Sequence, residues 1–172
     1  MDETVRVLIA DDHAVVRQGL RAFLDAHSGI DVVGEAADGE QAVALAEQLL
    51  PDVVLMDVVM PGMDGIDATR RVRATSPTTK VIVLTSFADE DKVFPAVKAG
   101  AAGYLLKDVE PSELGDAIRR VHGGEGLLHP SVAAKLMREY AERPADDTEP
   151  LTDRELEVLR LLARGLPNKQ IA

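Results

Sequence analysis

The sequence has no cysteine and no tryptophan. The first absence rules out disulfides, thiol nucleophiles and zinc–thiolate sites, and it makes a reducing compartment, the cytoplasm, the expected location. Three Phe and two Tyr in 172 residues are too few for an aromatic platform on which nucleic-acid bases stack. No apolar run approaches the ~20 residues of a membrane span, and the opening MDETVRVLIADD lacks the basic start and long apolar region of a signal peptide. The expectation is a chain that is neither exported nor membrane-bound. Positive charge is scarce as well, with 19 Lys and Arg against 30 Asp and Glu and a net charge of −11. Most of the surface should repel nucleic acid and favour cations, metal ions included, so any DNA contact has to be local.

What is present is enough for one real core, because 46% of the residues are hydrophobic. VRVLIA (5–10) is a β-rich run followed by helical spacing at Val16, Leu20, Phe23 and Leu24, closed by Ser28 and Gly29. The alternation recurs as IDVVGEA with a helix after Gly39, DVVLMD with a helix after Gly65, KVIVLT with a helix near Asp89 to Ala99, and GYLL with a helix after Pro111. Five such β-α units predict an α/β fold: a doubly wound, five-stranded parallel sheet covered on both faces, ending near Gly123 and Gly124. Polar sites in such sheets gather beyond the carboxyl ends of the strands. Asp11 and Asp12 after the first strand, Asp57 at the end of the third, Thr85 at the end of the fourth and Lys107 at the end of the fifth all fall on that rim.

Singly, these residues have plain readings. Asp11 and Asp12 suit a helix cap, Asp57 suits the turn at Pro61-Gly62, and Lys107 alone means little. Together they mean more, since three carboxylates on one rim repel one another unless something positive joins them. Lys107 is one candidate and a bound divalent cation is the other; a shallow acidic rim without a histidine cluster favours Mg2+ over zinc. A carboxylate in that setting can act as a nucleophile toward a phosphoryl group, with the metal and the lysine neutralising the transferring oxygens. Asp57 is the central candidate, Asp11 and Asp12 would hold the metal, and Thr85 offers a hydroxyl to the phosphoryl group. Tyr104 stands close enough in sequence to Lys107 to swing in behind. His13 is expected to be an exposed first-turn residue rather than a phosphocarrier, because no base is positioned beside it.

Beyond Gly124 the pattern changes. LHPSVAAKLMREYAE has helical spacing, ERPADDTEP is polar and broken by Pro144 and Pro150, and LTDRELEVLRLLARGLPNKQIA opens with a capping box at Thr152 to Glu155 and stops at Gly165. The expected division is a first domain over 1–124, a linker with one helix over 125–148, and the start of an all-α unit over 149–172.

The series DD, LMDVVMPGMDG, LTS and GYLLKD, in that order and spacing, resembles the receiver domain of two-component response regulators, which have a flavodoxin-like fold. The C-terminal segment is similar to the LuxR-type helix-turn-helix of the NarL/FixJ subfamily. The resemblance implies that Asp57 is the phosphoacceptor and that Asp11 and Asp12 bind Mg2+ with the backbone carbonyl of Val59. It implies that Thr85 and Tyr104 form the switch pair and that Lys107 pairs with the phosphoryl group. It also implies a sensor histidine kinase as phosphodonor, a homodimer on phosphorylation, and DNA binding through the complete C-terminal domain. The sequence ends at Ala172, at the start of what resembles the supporting helix, so no DNA-binding residue is assigned within it. Residues 151–172 carry four basic and three acidic side chains, which gives little phosphate affinity. The function expected is a transcription regulator switched by phosphorylation, not a turnover enzyme. The alternatives are a Mg2+-dependent phosphohydrolase with an aspartyl intermediate, which Asp11-Asp12-His13 fits poorly, and a receiver acting only through protein contacts.

Two local expectations remain. Pro95 in DEDKVFPAVKAG should start the fourth helix late, near Val93, or kink it, since proline inside a helix costs ~3 kcal/mol and in the first turn costs little. Val59 and Phe87, two positions beyond Asp57 and Thr85, are apolar residues placed to shield an acyl phosphate from water.

Overall fold

The computed structural model describes residues 4–85, 93–107 and 109–128. The expected linker helix, the acidic linker, the helix-turn-helix start and Phe87 lie outside the described residues. In chain order the elements are β1 (Val5–Ala10), α1 (Ala14–Asp25), β2 (Ile30–Ala36), α2 (Gly39–Leu49), β3 (Val53–Asp57), α3 (Gly65–Thr75), β4 (Lys80–Thr85), α4 (Val93–Lys98), β5 (Gly103–Leu106), α5 (Pro111–His122) and β6 (Leu127–Leu128).

The strands form one parallel sheet in the order β2-β1-β3-β4-β5-β6. The predicted five-stranded parallel core is present, and strand order reverses between β1 and β3, so Asp11 and Asp57 flank the switch point. The two-residue β6 is an addition. It pairs Leu127 with Gly103 and Leu128 with Tyr104, so the sheet runs past residue 124.

Why these residues form these strands follows from side-chain parity. Successive side chains point to opposite faces, and here both faces are covered. Val54, Met56, Val81, Val83 and Tyr104 belong to one buried cluster, together with residues of α2, α3 and α4. Val53, Leu55, Ile82, Leu84 and Leu105 belong to the other, with residues of α1 and α5. A strand buried on both sides reads as an unbroken apolar run, as β3 does. The same parity divides the rim residues. Asp57 and Lys107 continue the series 53-55 and 105, on the α1–α5 side. Thr85 continues 81-83 and shares the other side with Tyr104.

The helices begin where the chain supplies acceptors. Asp38 Oδ1 accepts from Gln41 N at 2.8 Å to cap α2, and Asp64 Oδ1 accepts from Asp67 N at 2.8 Å to cap α3. Pro95 is the third residue of α4 as described, and residues 86–92, on which the expected late start turns, lie outside the described residues. At the amino end of the sheet, Arg6 N donates to Asp52 Oδ2 at 2.9 Å, and Arg6 Nη1 donates to the carbonyls of Leu49 and Leu50 at 2.7 and 3.0 Å. Among the described residues no helix is long and apolar enough to cross a membrane.

Candidate functional site

The carboxyl rim is built by three strand ends and one tight loop. Asp11 follows β1 and stays in register, its N–H donating to Ala36 O at 3.0 Å. Its carbonyl accepts from Arg17 Nη1 at 2.6 Å, and its Oδ1 accepts from His13 N at 2.8 Å. Arg17 in turn sits 3.4 Å from Glu35, which also accepts from Arg21 at 2.8 Å, so the position of Asp11 is braced from α1 and β2. The plain reading of Asp11 and Asp12 as a helix cap does not hold, since the N-cap of α1 is His13 without a side-chain cap bond, and Asp11 makes a local turn instead. It uses only one carboxylate oxygen.

Asp57 ends β3 and is 4% exposed. The loop behind it closes through Gly65 N donating to Val58 O at 2.8 Å. A Cβ at Gly65 would lie 1.9 Å from Asp57 O, so this position has to be glycine for the loop to pack against the strand end. The second glycine of the turn, Gly62, has a φ of 73°, a left-handed conformation that a residue with a Cβ rarely takes.

Lys107 joins the acids. Its Nζ lies 3.1 Å from Asp57 Oδ1 and 3.3 Å from Asp11 Oδ2. Its backbone N–H donates to Thr85 O at 2.7 Å, which ties the ends of β5 and β4 together. Thr85 and Tyr104 are fully buried, the Tyr104 ring in the cluster on the α2–α4 side. Val59 lies in the loop two residues past Asp57 and is 56% exposed. Asp11, Asp12, Asp57 and Lys107 therefore meet, Thr85 joins them through the backbone of Lys107, and Tyr104 stands on the opposite face of β5.

Two carboxylate oxygens here have nothing to bond. Asp57 Oδ2 and Asp12 Oδ1 are buried without a hydrogen-bond partner, although Asp12 Oδ1 is 3.0 Å from His13 Nδ1. Buried polar atoms normally find partners, and an orphan in a native fold points to an ion, a water or a reacting group. One ammonium among three carboxylates leaves the lip negative. Burial raises the Asp57 carboxyl to about 6, against the hydrogen bond from Lys107, and the charges of Asp11 and Asp12 push the same way as burial. Burial works against the Lys107 ammonium, but its hydrogen bond to Asp57 and the charges of Asp57 and Asp11 outweigh it and raise its pKa. Asp11, Asp12, His13 and Asp57 each offer one ligand atom, all within 4.8 Å of one another. Oxygen donors, negative charge and two orphaned atoms are compatible with a divalent cation.

Sequence reasoning placed His13 as an exposed first-turn residue. The ring is exposed, with the side chain at 65%, but the residue is the N-cap of α1 and its Nδ1 faces the two aspartates. The brace from Arg17 and the strand at Leu127–Leu128 were also missed. Arg17 sits one turn after the N-cap His13, where a helical side chain leans back toward the strand end; two residues of strand leave no periodic signal.

Comparison with known proteins agrees with this geometry. Residues 7–119 match the family of response regulator receiver domains, and residues 149–172 match the luxR family of bacterial regulatory proteins. The transcriptional regulatory protein LiaR of Bacillus subtilis is 50% identical over 97% of this chain and 80% of its own length. The response regulator protein VraR of Staphylococcus aureus is 42% identical over 98% of this chain and 80% of its own length. Among solved structures, a LuxR-family two-component response regulator from Aurantimonas superposes with a TM-score of 0.75 at 35% identity, covering 81% of this chain and all of that one. The chain belongs to the two-component response regulators, as a receiver joined to a LuxR-type helix-turn-helix segment in the manner of the NarL/FixJ subfamily of transcription regulators.

Proposed function

We propose that Asp57 is the phosphoacceptor of this regulator and that Asp11, Asp12, Asp57 and the Val59 carbonyl hold Mg2+. The observation that carries this reading is the orphaned Asp57 Oδ2, buried beside Asp11 and Lys107. A carboxylate oxygen held without a partner is free to attack phosphorus. The new bond is the acyl–phosphate P–O bond, and the bond to the donor breaks with its electron pair leaving on the donor. When bound, the cation supplies positive charge that offsets charge on the transferring oxygens. Lys107 keeps its ammonium, because its neighbours raise its pKa, and it exchanges Asp57 for a phosphoryl oxygen.

Phosphorylation adds about −1.5 to −2 charges and strong acceptor oxygens. Thr85 is then drawn toward them, and Tyr104, already buried against the same face of the sheet, fixes the packing of α4 and β5 that the phosphorylated state prefers. Such a switch needs two packings a few kcal/mol apart. The donor is a sensor histidine kinase. A hollow of about 280 Å³ between α1 and α5, lined by Val16, Leu20, Phe23 and Leu114 and reaching Lys107, gives a helix of that partner an apolar seat next to the acceptor. The chain divides into a receiver over 1–124, a linker over 125–148 and the first part of the DNA-binding unit over 149–172. It works in the cytoplasm as a switch that accepts and loses its own phosphoryl group, it dimerises when phosphorylated, and it reaches DNA through the complete C-terminal domain.

Intact-mass measurement after treatment with a small acyl phosphate and Mg2+ tests the reading. One added phosphate on the native chain and none on Asp57→Asn is the expected result. Equal labelling of both chains would move the acceptor elsewhere.

A further inference from the structure

We propose that His13 is a fourth ligand of the acidic cluster, and that its imidazole gives the site a stronger hold on borderline divalent ions such as Co2+ and Ni2+ than carboxylates alone provide. The proposal rests on the cation reading above and goes beyond it in the donor set and in the ion preferred.

His13 caps α1 with an extended backbone (φ −96°, ψ 112°), yet its side chain makes no capping bond. The ring instead turns back over the cluster, with Nδ1 3.2 Å from Asp11 Oδ1 and 3.0 Å from Asp12 Oδ1. Around an octahedral ion with bonds of about 2.1 Å, adjacent ligand atoms stand about 3.0 Å apart and opposite ones about 4.2 Å. The ring nitrogen is thus at the spacing of an adjacent ligand from both oxygens; taking one atom from each residue, all four lie within 4.8 Å of one another, a spread that a bound ion has to draw in by about half an ångström.

A purely local role explains only part of this. A bond from Nδ1–H to Asp11 accounts for the first contact. It leaves Asp12 Oδ1 buried and unbonded next to the ring, with Asp57 Oδ2 unbonded in the same cluster on a residue 4% exposed. A cation shared by the three acids and Nδ1 would meet both orphans at once. Coordination requires only that the neutral ring carry its single proton on Nε2, and a side chain that is 65% exposed leaves that proton accessible to water.

The chemical consequence is selectivity. Mg2+ prefers oxygen and keeps its waters, so a nitrogen donor adds little to its binding, whereas imidazole suits the later first-row ions and the gain grows from Mn2+ toward Ni2+.

Pulsed electron paramagnetic resonance of the full chain loaded with Mn2+, together with calorimetric titration of Ni2+ and Mg2+, tests the proposal on the native chain, His13→Gln and Asp57→Asn. The native chain should show nitrogen hyperfine modulation from one imidazole, lost in His13→Gln. That variant should lose roughly tenfold or more in Ni2+ affinity and about twofold or less in Mg2+ affinity. Mn2+ bound without nitrogen modulation, modulation that survives His13→Gln, or equal losses for Ni2+ and Mg2+ would overturn the role of His13 and leave the acidic site standing. Mn2+ binding that is absent from the native chain, or unchanged by Asp57→Asn, would remove the cation site and this proposal with it.

Discussion

At the amino end of the sheet, Arg6 and Asp52 tie β1 to the end of α2 and the loop before β3 through bonds that use both partners well: a backbone N–H to the carboxylate, and a guanidinium to two carbonyls. At the carboxyl end, three aspartates share one lysine, and two oxygens bond to nothing. Acidic and basic side chains stand at both ends of the sheet. One rim contributes stability and the other gives stability up, which is how a site reserved for a reacting group differs from a structural contact.

Substitutions should separate the rims by sign as well as size. The largest effect is expected from Gly65→Ala, which drives a Cβ to 1.9 Å from Asp57 O. Forcing the loop away should cost about 3 kcal/mol or more, read as a lowered denaturant midpoint with an unchanged slope. Next is Asp57→Asn, which should stabilise the metal-free chain at pH 7 by up to about 3 kcal/mol, because the carboxyl rises from 3.8 to about 6 on folding. The sign follows from that rise. The folded state binds the proton more tightly, so the native chain is penalised above pH 6 and recovers as pH falls from 6 toward 4. Denaturation in a chelator at pH 7.5 and pH 5 should show the difference between the two chains shrinking, and a constant difference would break the comparison. Asp52→Ala, at the opposite rim, should destabilise by about 1 to 2 kcal/mol, read as a lowered denaturant midpoint. Smallest in stability is Val59→Asn, under about 0.5 kcal/mol on an exposed side chain. Its expected effect is a faster loss of phosphate from the labelled chain, followed by intact mass over time, and an unchanged rate would exclude shielding by Val59.

The sequence made the sheet legible because every central strand is buried on both faces and every strand end carries its polar residue at the point where the apolar run stops, as in DVVLMD. Lys107 and the three aspartates could be placed on one rim from topology alone. Which face of the sheet each occupies needed the register, because parity puts Asp57 and Lys107 on one side and Thr85 with Tyr104 on the other. His13 was misjudged in its contacts because side-chain direction at a helix cap depends on two backbone angles that no periodicity reports. Gly65 marks the start of a helix in the sequence, but its need to be glycine comes from the Asp57 carbonyl brought close by tertiary packing.

The short strand at Leu127–Leu128 is the last described pairing of the sheet. Its backbone is stitched to Gly103 and Tyr104, three residues upstream of the lysine that grips the acceptor. Each ladder bond nets about 1 kcal/mol, so this margin is the thinnest seam of the sheet. A zip this short can open while the rest of the sheet stays shut, and β5 then becomes the sheet's edge.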